Sequence, residues 1–333
     1  MGTLPKFLPG YHSVTDAQAR GKFEERWGVN LPAKDGLTAL EIMEQIKKTN
    51  IKGMYIVGEN PVLSFPNSRL ITEILNSLDF LVVQEMFLTE TAKLANVVLP
   101  AASFAEKDGT FTNFEGSVQK VRKAINLLGE SLPDWEIILR LADKMGSLMP
   151  YSSPQDVMNE IEELVPSYKA YTNSERQDEL AYGETGRTYG RQLLKGFARF
   201  SPIEYTPQAG EIKSDYPFTL LTGTTLYHFG SGSRSSRSLR LKKFSPEAFM
   251  EICESDATKL TLTDGEKVKV ISTAGEVTTM VKITSTLREG MLFMPVSFPE
   301  TPVNELFDIV LNPETKSPSL KACNVKIEKI SLP

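Results

Sequence analysis

Short apolar runs alternate with longer amphipathic stretches between residues 37 and 146, and this alternation limits the folds open to the chain. Apolar residues recur at helical spacing over 37–46 and again over 70–78. The candidate strands between and after these stretches are 54–57, 80–83 and 96–99. Strands that alternate with helices form βαβ units, in which the strands run parallel and helices cover the sheet. This part of the chain therefore predicts an α/β fold.

Three later features extend this first domain. The stretch 109–122 predicts a hairpin inserted before the next helix. Asp134 precedes an amphipathic run that stops near Gly146, which predicts a helix with Asp134 as its N-cap. Ser153 and Pro154 open a further predicted helix, because serine caps helices and proline is favoured in the first turn.

The last third of the chain has the pattern of a β domain. Its β-prone runs are 218–221, 268–271, 277–281, 291–294 and 325–328. Glycine turns at 264–265, 274–275 and 289–290 separate several of them. Many short strands with regular turns predict a small closed barrel. Because apolar periodicity fades between residues 167 and 213, a loop-rich connection is expected there, and the predicted domains are 1–205 and 215–333.

Charge and residue counts exclude several classes of protein. A net charge of -5 argues against a nucleic-acid partner, since only one basic run, 234–243, could neutralise phosphates. No apolar run approaches the ~20 residues of a membrane span, and the first residues carry no apolar export signal, so a cytoplasmic location is expected. Two cysteines and two histidines are too few for a four-cysteine iron–sulfur cluster or a multi-histidine metal site. Both thiols are expected to be reduced.

Polar residues follow two of the candidate strands. Gly58, Glu59 and Asn60 come after the first strand, and Gln84 and Glu85 come after the second. Parallel strands present their carboxyl ends at one edge of a sheet, where ligands bind in α/β proteins. A carboxylate there can accept from the N–H groups of guanine, and an amide can donate to its carbonyl. Polar side chains that bond only to the loop backbone explain the same pattern without a ligand.

Four other features each have two interpretations. Helix capping alone explains Asp134. His228 is either a hydrogen-bonded core residue or part of a glycine- and threonine-rich loop that a ligand approaches closely. The arginines and hydroxyls of the loop 231–237 suit phosphate groups, and a solvated loop accounts for them equally. Lys321 is by default a surface lysine.

Short motifs follow one another in a fixed order along the whole chain. They include Tyr55-Ile-Val-Gly-Glu-Asn-Pro61, Val82-Val-Gln-Glu85, Asn96-Val-Val-Leu-Pro100, Glu106-Lys-Asp-Gly-Thr-Phe-Thr112, Pro133-Asp-Trp135, the loop 221–231, Asn304-Glu-Leu306 and Lys321-Ala-Cys323. Each motif is modest alone, but their order is specific. Together they resemble the C-terminal region of bacterial formate dehydrogenase catalytic subunits, which belong to the molybdopterin bis(guanine dinucleotide) oxidoreductase superfamily.

The resemblance implies a fold and a cofactor. The fold is a partial αβα, Rossmann-like molybdopterin-oxidoreductase domain with a hairpin insertion at about 109–122, followed by a double-psi-type β-barrel that binds the molybdopterin dinucleotide. The implied cofactor is molybdopterin guanine dinucleotide, which carries Mo or W. The residues implied to contact it are Gly58, Glu59, Asn60, Ser64, Gln84, Glu85, Asp134, Gly223, His228, Asn304 and Lys321.

The resemblance also implies what other parts of the enzyme supply. In family members the metal ligand, a neighbouring His and Arg and a four-cysteine cluster all lie N-terminal to the matched region. The chain is therefore expected to have no catalytic residue and no iron–sulfur cluster, and to be inactive alone. The N-terminal half of the catalytic subunit and electron-transfer subunits are the expected partners.

Two other hypotheses stay open. The C-terminal region of the respiratory complex I large iron–sulfur subunit resembles this superfamily without binding the cofactor, which would make the chain a structural module. A truncated reading frame is the second hypothesis. Thr224, Ala101 and Leu320 stand where the family commonly has other residues, and these departures weaken the expected cofactor affinity.

Overall fold

The computed structural model describes residues 4–113, 118–168, 202, 215–312 and 316–330. These residues fall into two compact units, one within 1–39 and 99–204 and the other within 40–98 and 205–333. The predicted loop-rich connection lies almost wholly outside the described residues, as does the turn of the predicted hairpin at 114–117. The division into domains 1–205 and 215–333 stays a prediction.

Helices and strands alternate in the first part of the chain, and strands predominate from Phe218 onward. The strands are β1 (Phe7–Leu8), β2 (His12–Ser13), β3 (Gly53–Val57), β4 (Phe80–Glu85), β5 (Val97–Pro100), β6 (Gly109–Thr112), β7 (Val118–Val121), β8 (Phe218–Gly223), β9 (Phe249–Cys253), β10 (Lys267–Ile271), β11 (Glu276–Thr284), β12 (Met291–Pro295) and β13 (Ala322–Lys329). The helices are α1 (Ala17–Trp27), α2 (Ala39–Lys47), α3 (Pro61–Ser64), α4 (Ser68–Asn76), α5 (Asp134–Lys144), α6 (Pro154–Leu164), α7 (Leu239–Lys242) and α8 (Glu254–Lys259).

The α/β pattern predicted for the first part of the chain is confirmed by a sheet of β3, β4 and β5 in that order. β3 and β4 run parallel, with Val57 opposite Gln84 at their carboxyl ends. Helix α2 buries the face that carries Met43 and Ile46, and α4 buries Ile71 among the same apolar side chains. The spacing that predicted these helices is thus the spacing of the residues that cover the sheet.

The first compact unit holds the hairpin and two of the predicted helices. β6 and β7 pair antiparallel, as predicted for the hairpin. Ser153 caps α6 in a capping box with Asp156, which confirms the predicted start of that helix. The predicted N-cap of α5 was wrong, because Pro133 occupies the cap position and Asp134 is the first residue of the helix. Asp134 pairs instead with the Lys107 ammonium.

The predicted barrel is confirmed: six strands close in the order β10, β11, β9, β12, β8 and β13, and β13 pairs with β10. β9 is parallel to β11 and β8 to β12, whereas the other pairs are antiparallel. Leu220, Met250, Val268, Leu292 and Val325 are fully buried in its core. Sequence patterns did not predict β9 or α8, because the run 249–253 lies between polar stretches without a glycine turn.

Candidate functional site

The two polar strand ends predicted from the sequence lie side by side. Gly58 follows β3 directly, and its N–H donates to the carbonyl of Gln84 at 2.9 Å. Gly58 has φ +64°, a backbone conformation that glycine adopts without steric cost. The turn at 58–60 therefore begins beside the end of β4, at the carboxyl edge of the sheet.

Asn60 is buried, and its amide uses all of its hydrogen-bonding capacity within the protein. Its Nδ2 donates to Glu90 Oε2 and to Ser233 Oγ, both at 2.9 Å. Its Oδ1 accepts from the Thr91 N–H at 3.1 Å and from the Thr91 hydroxyl at 2.7 Å. An amide has two donors and two lone pairs, so a bond from Asn60 to a ligand requires one of these bonds to break.

Glu59, one residue earlier, is exposed. One carboxylate oxygen, Oε1, accepts from the Ser64 hydroxyl at 2.6 Å and from the Asn60 N–H at 3.1 Å. These two bonds fix the carboxylate in the turn and leave Oε2 without a partner among the described residues. Glu59 and Ser64 thus present an oriented anionic acceptor at the edge of the sheet.

Gln84 and Glu85 are both buried at the end of β4. The Tyr55 hydroxyl donates to Gln84 Oε1. Glu85 Oε1 accepts from the Met86 N–H at 2.8 Å and lies 3.6 Å from the Arg234 guanidinium. A buried carboxylate needs such partners to offset its lost hydration, so Arg234 stabilises the charge of Glu85.

The loop 231–237 reaches both strand ends from the barrel. Ser233 bonds to Asn60, and Arg234 pairs with Glu85. Gly232 lets the loop approach the barrel closely, because a Cβ at this position would lie 1.9 Å from the Ser297 carbonyl oxygen. The structure therefore brings the predicted phosphate-type loop to the predicted base-recognition residues within one compact unit.

His228 is a hydrogen-bonded core residue, one of the two interpretations of its motif. Nε2 lies 3.0 Å from the Ser245 carbonyl oxygen, which can only accept, so Nε2 carries the proton. In the neutral ring Nδ1 then accepts from the Ser235 hydroxyl at 3.1 Å. The ring packs edge-on against Phe298 at 5.0 Å. His228 thus holds the start of the loop in place.

The other predicted contact residues differ in position. Asn304 is buried, and its Nδ2 donates to the carbonyl oxygens of Leu63 and Ser64 at 2.9 and 3.2 Å. It therefore joins the barrel to α3 of the sheet region. Gly223 ends β8, where a Cβ would meet the Phe293 ring at 2.9 Å. The Lys321 side chain is exposed. Asp134 belongs to the other compact unit.

Sequence reasoning missed two residues that build this site. Thr91 is fully buried and its hydroxyl also accepts from the Val62 N–H at 3.2 Å. Glu90 shares Asn60 Nδ2 with Ser233. Glu90 and Thr91 follow β4 by a few residues, and no local sequence pattern identifies these positions as functional. The sequence marked Thr91 only as part of a short motif, Thr91-Ala92, that contributes to the family resemblance, and its burial is visible only in the structure.

Two family models match the chain. Residues 6–144 match molybdopterin oxidoreductase, and residues 218–324 match the molybdopterin dinucleotide binding domain. The F420-dependent formate dehydrogenase subunit alpha of Methanocaldococcus jannaschii is 42% identical over 99% of the chain and 50% of its own length. The chain belongs to the molybdopterin oxidoreductase family.

Other relatives agree with this assignment to the molybdopterin oxidoreductases. The putative formate dehydrogenase YrhE of Bacillus subtilis is 36% identical over 98% of the chain and 34% of its own length. The solved structure of acetylene hydratase from Pelobacter acetylenicus has a TM-score of 0.67 at 18% identity and covers 94% of the chain and 50% of its own length. That similarity concerns the fold. The chain spans about half the length of the first of these curated relatives.

Unpartnered buried oxygens in this molybdopterin oxidoreductase chain fit a polar ligand. Asn304 Oδ1, Ser297 Oγ and Thr225 Oγ1 are buried and have no hydrogen-bond partner among the described residues. Thr225 and Ser297 each lie two residues beyond the ends of β8 and β12, whose last residues, Gly223 and Pro295, are paired. They therefore lie at the same end of the barrel. Buried polar atoms normally have partners, so the donor set suits a ligand rich in N–H and oxygen groups, such as a pterin dinucleotide.

Two absences among the described residues bear on other classes of site. No helix in that part of the chain is both long and apolar enough to cross a membrane. Within the same residues no cluster of three or more His, Cys, Asp or Glu side chains has the arrangement of a metal site.

Proposed function

We propose that this chain forms the cofactor-binding part of a formate dehydrogenase-like catalytic subunit. The proposal rests on one observation. The loop 231–237 contacts the residues at both strand ends, through the Ser233–Asn60 hydrogen bond and the Arg234–Glu85 ion pair. Glu59 offers a fixed carboxylate to the N–H groups of a guanine base, and Asn304 Oδ1 offers an acceptor to a pterin N–H. Within this compact unit the proposed contact set also includes Gly58, Asn60, Ser64, Gln84, Glu85, Gly223, His228 and Lys321. Asp134 is a proposed contact that belongs to the other compact unit. When bound, the molybdopterin cofactor supplies the Mo or W centre that exchanges electrons with the substrate.

The remainder of the subunit supplies the metal ligand and an iron–sulfur cluster in this proposal, and electron-transfer subunits accept the electrons. The length of the relatives supports this division of roles, because the chain spans 50% of the length of the Methanocaldococcus jannaschii subunit. The three-stranded sheet supports it as well, since β3 and β5 lie at its two edges and no further strand of the described residues pairs with them. An unpaired strand edge pairs readily with a further strand. The Rossmann-like and double-psi descriptions of the two domains belong to the same proposal.

The test of function uses the complex in which the chain occurs. On the purified complex, the experiment measures the content of Mo and W, the guanine nucleotide released, and the formate-dependent reduction of a dye. We expect stoichiometric metal with guanine nucleotide, and formate oxidation. Metal with no formate oxidation would contradict the substrate assignment, and neither metal nor pterin would contradict the whole proposal.

Glu59 gives a direct test of base recognition. Glu59→Gln keeps the size of the side chain and removes its charge, so we expect about tenfold or more weaker binding of GDP by the full chain. ADP binding, which cannot use the same acceptor, should stay unchanged. Glu73→Gln is the matched control, because Glu73 is an exposed carboxylate paired with Arg69 on α4. Equal effects of the two substitutions would refute base recognition by Glu59.

One observation favours a non-catalytic structural module as the second candidate. Asn60 and Gln84 are buried and bonded to protein groups, which is what a scaffold without cofactor requires. The absence of metal and pterin from the purified complex, together with retained assembly of its subunits, would support this candidate over the enzyme.

A further inference from the structure

A cavity of about 500 Å³ lies between the end of α1 and helix α6. Its walls come from Pro9, from residues within 26–29 and 147–151, and from α6 and the residue after it. All of these belong to the first compact unit. Cavities of roughly 300 to 1,000 Å³ hold small molecules, so the volume is sufficient for one. The described residues that line the cavity include none of the proposed cofactor contacts.

A buried carboxylate forms the polar part of the cavity wall. Glu160, in α6, is buried, and its Oε2 accepts from the Tyr151 hydroxyl at 2.7 Å and lies 2.9 Å from Arg26 Nη2. Its Oε1 accepts from the Trp27 indole N–H at 2.8 Å. A carboxylate oxygen has two lone pairs, and Oε1 has one partner among the described residues. Oε1 can therefore accept a second hydrogen bond from a ligand.

The same carboxylate fixes two aromatic rings of the cavity wall. Trp27 is bonded to Glu160 and also packs against the fully buried Phe23 ring, with 5.1 Å between the ring centroids. Burial and the hydrogen bond to Glu160 raise the pKa of Tyr151 to about 12, so its hydroxyl stays protonated and donates at neutral pH. Side chains that are in place before a ligand arrives lower the entropy cost of binding.

The charges in the cavity wall already compensate each other. Arg26 pairs with Glu160 and, through Nε at 3.1 Å, with Glu163. A charged ligand would lose hydration in the cavity without finding an unpaired opposite charge. The rest of the wall is mainly apolar and includes Val157 and Ile161 of α6. The cavity therefore fits an uncharged and largely apolar molecule.

We propose that this cavity is a binding site for a small uncharged molecule with an apolar body and one hydroxyl or amide donor. The apolar body packs against the Trp27 and Tyr151 rings and the aliphatic side chains of α6. The donor bonds to Glu160 Oε1. Phenols, alcohols and primary amides share this chemistry. The site goes beyond the cofactor-binding function proposed above and does not depend on it.

The test of ligand class uses isothermal titration calorimetry of the full chain. The probes are p-ethylphenol, ethylbenzene, p-ethylbenzoate and p-ethylbenzylamine, which share one apolar body. We expect p-ethylphenol to bind about fivefold or more tighter than ethylbenzene, because only the phenol donates a hydrogen bond to Glu160. The two charged probes should bind about tenfold or more weakly than the phenol.

Trp27 reports where the probe binds. The sequence has two tryptophans, so in Trp135→Phe the tryptophan fluorescence comes from Trp27 alone. This fluorescence should change over the p-ethylphenol concentrations that saturate the calorimetric signal. Val157→Phe should weaken p-ethylphenol binding about tenfold or more, because the larger side chain fills part of the cavity. Val310→Phe is the matched control, since Val310 is exposed and lies in the other compact unit.

Each outcome supports or overturns the proposal. Tightest binding of p-ethylphenol, with the Trp27 response and the loss in Val157→Phe, supports it. No saturable binding of any probe by the folded chain overturns it, as does tightest binding of a charged probe or an equal affinity for ethylbenzene. Equal affinities of the folded Val157→Phe and Val310→Phe variants also overturn it.

Circular dichroism shows whether each variant is folded. If Val157→Phe does not fold, the Trp27 response decides the location by itself, and its absence during saturable binding overturns the proposal. A complex without metal or pterin contradicts the proposed function but leaves the p-ethylphenol result standing.

Discussion

At the scale of single residues, burial separates the roles of neighbours in one motif. Glu59 and Asn60 adjoin in the chain, but Glu59 is exposed and Asn60 is buried with its amide saturated by Glu90, Ser233 and Thr91. Glu59 is therefore available to a ligand, whereas Asn60 positions the loop 231–237. A sequence pattern identifies such a motif but not which member turns inward, because that depends on residues far along the chain.

Gly232 provides a prediction at this scale. It has φ +77°, and a Cβ would lie 1.9 Å from the Ser297 carbonyl oxygen. Gly232→Ala should therefore destabilise the chain by about 2 to 4 kcal/mol, through backbone strain and overpacking combined. Gly230→Ala is the control, because Gly230 has φ +54° and a Cβ added there would have no other atom within 4 Å. Gly230→Ala should lower the free energy of unfolding by about 1 kcal/mol.

Chemical denaturation measures both glycine variants. Hydrogen exchange of the loop 231–237 should rise more in Gly232→Ala than in Gly230→Ala, since only the former displaces the loop from Ser297. Equal stabilities of the two variants would show that the close approach to Ser297 does not hold the loop.

At the scale of elements, one carboxylate ties together three parts of the barrel. Asp256, in α8, is buried, and its Oδ2 accepts from the Gly290 N–H at 2.6 Å and the Cys253 thiol at 3.3 Å. Its Oδ1 accepts from the Lys259 ammonium at 3.1 Å. Burial alone would raise the pKa of Asp256, but these donors outweigh it and the pKa is lowered from its usual value. The folded state therefore favours the charged carboxylate.

This lowered pKa predicts a pH dependence of stability. The contribution of Asp256 is fully present above its unfolded-state pKa of about 4 and is lost as the pH falls through the lower folded-state pKa. Asp256→Asn should lower the free energy of unfolding by about 2 kcal/mol at pH 7. The difference in unfolding free energy from the unsubstituted chain should become smaller below pH 4. Guanidinium unfolding at several pH values measures this difference in unfolding free energy.

A surface ion pair is the control for the Asp256 prediction. Glu276 pairs with Lys269 at 2.8 Å, and both side chains are exposed to solvent. Glu276→Gln should change the unfolding free energy by less than about 1 kcal/mol at every pH. A pH-independent difference for Asp256→Asn would contradict the ionic role of Asp256 and leave only a packing effect.

Elements with local signals were predictable, and those without them were not. Ser153 and Pro154 fixed the start of α6, and the glycine turns at 264–265 and 289–290 marked barrel strands. Asp134 carried a similar signal but was the first residue of α5, because Pro133 took the cap position. The preferences of aspartate for the N-cap and for the first turn are close in energy, so sequence alone could not separate them.

At the scale of the whole molecule, several large apolar side chains are exposed. The exposed fractions are 89% for Leu226, 89% for Phe229, 81% for Leu239 and 85% for Leu148. Leu226 and Phe229 flank His228 in one loop. A contiguous patch of exposed apolar side chains marks a surface that another chain or segment covers. Under the proposed function, the remainder of the catalytic subunit covers them.

The exposed loop predicts dye binding by the purified chain. The folded chain should enhance the fluorescence of the hydrophobic dye ANS, and Leu226→Ser with Phe229→Ser should reduce that signal. Leu148→Ser should reduce it separately, because Leu148 lies in the other compact unit. Chemical denaturation controls for unfolding. A folded chain whose dye fluorescence is unaffected by all three substitutions would contradict an apolar docking surface.

The sequence by itself determined the family, the alternation of strands and helices and the presence of a small barrel. The alternation and the barrel follow from periodicity and from turn residues, which act over a few positions. The family follows from the resemblance carried by short motifs in a fixed order along the chain. Only the tertiary structure decided that Asn60 positions a loop while Glu59 is exposed, and that Trp27, Tyr151 and Glu160 line one cavity. These facts depend on contacts between residues up to 173 positions apart, which no local preference encodes.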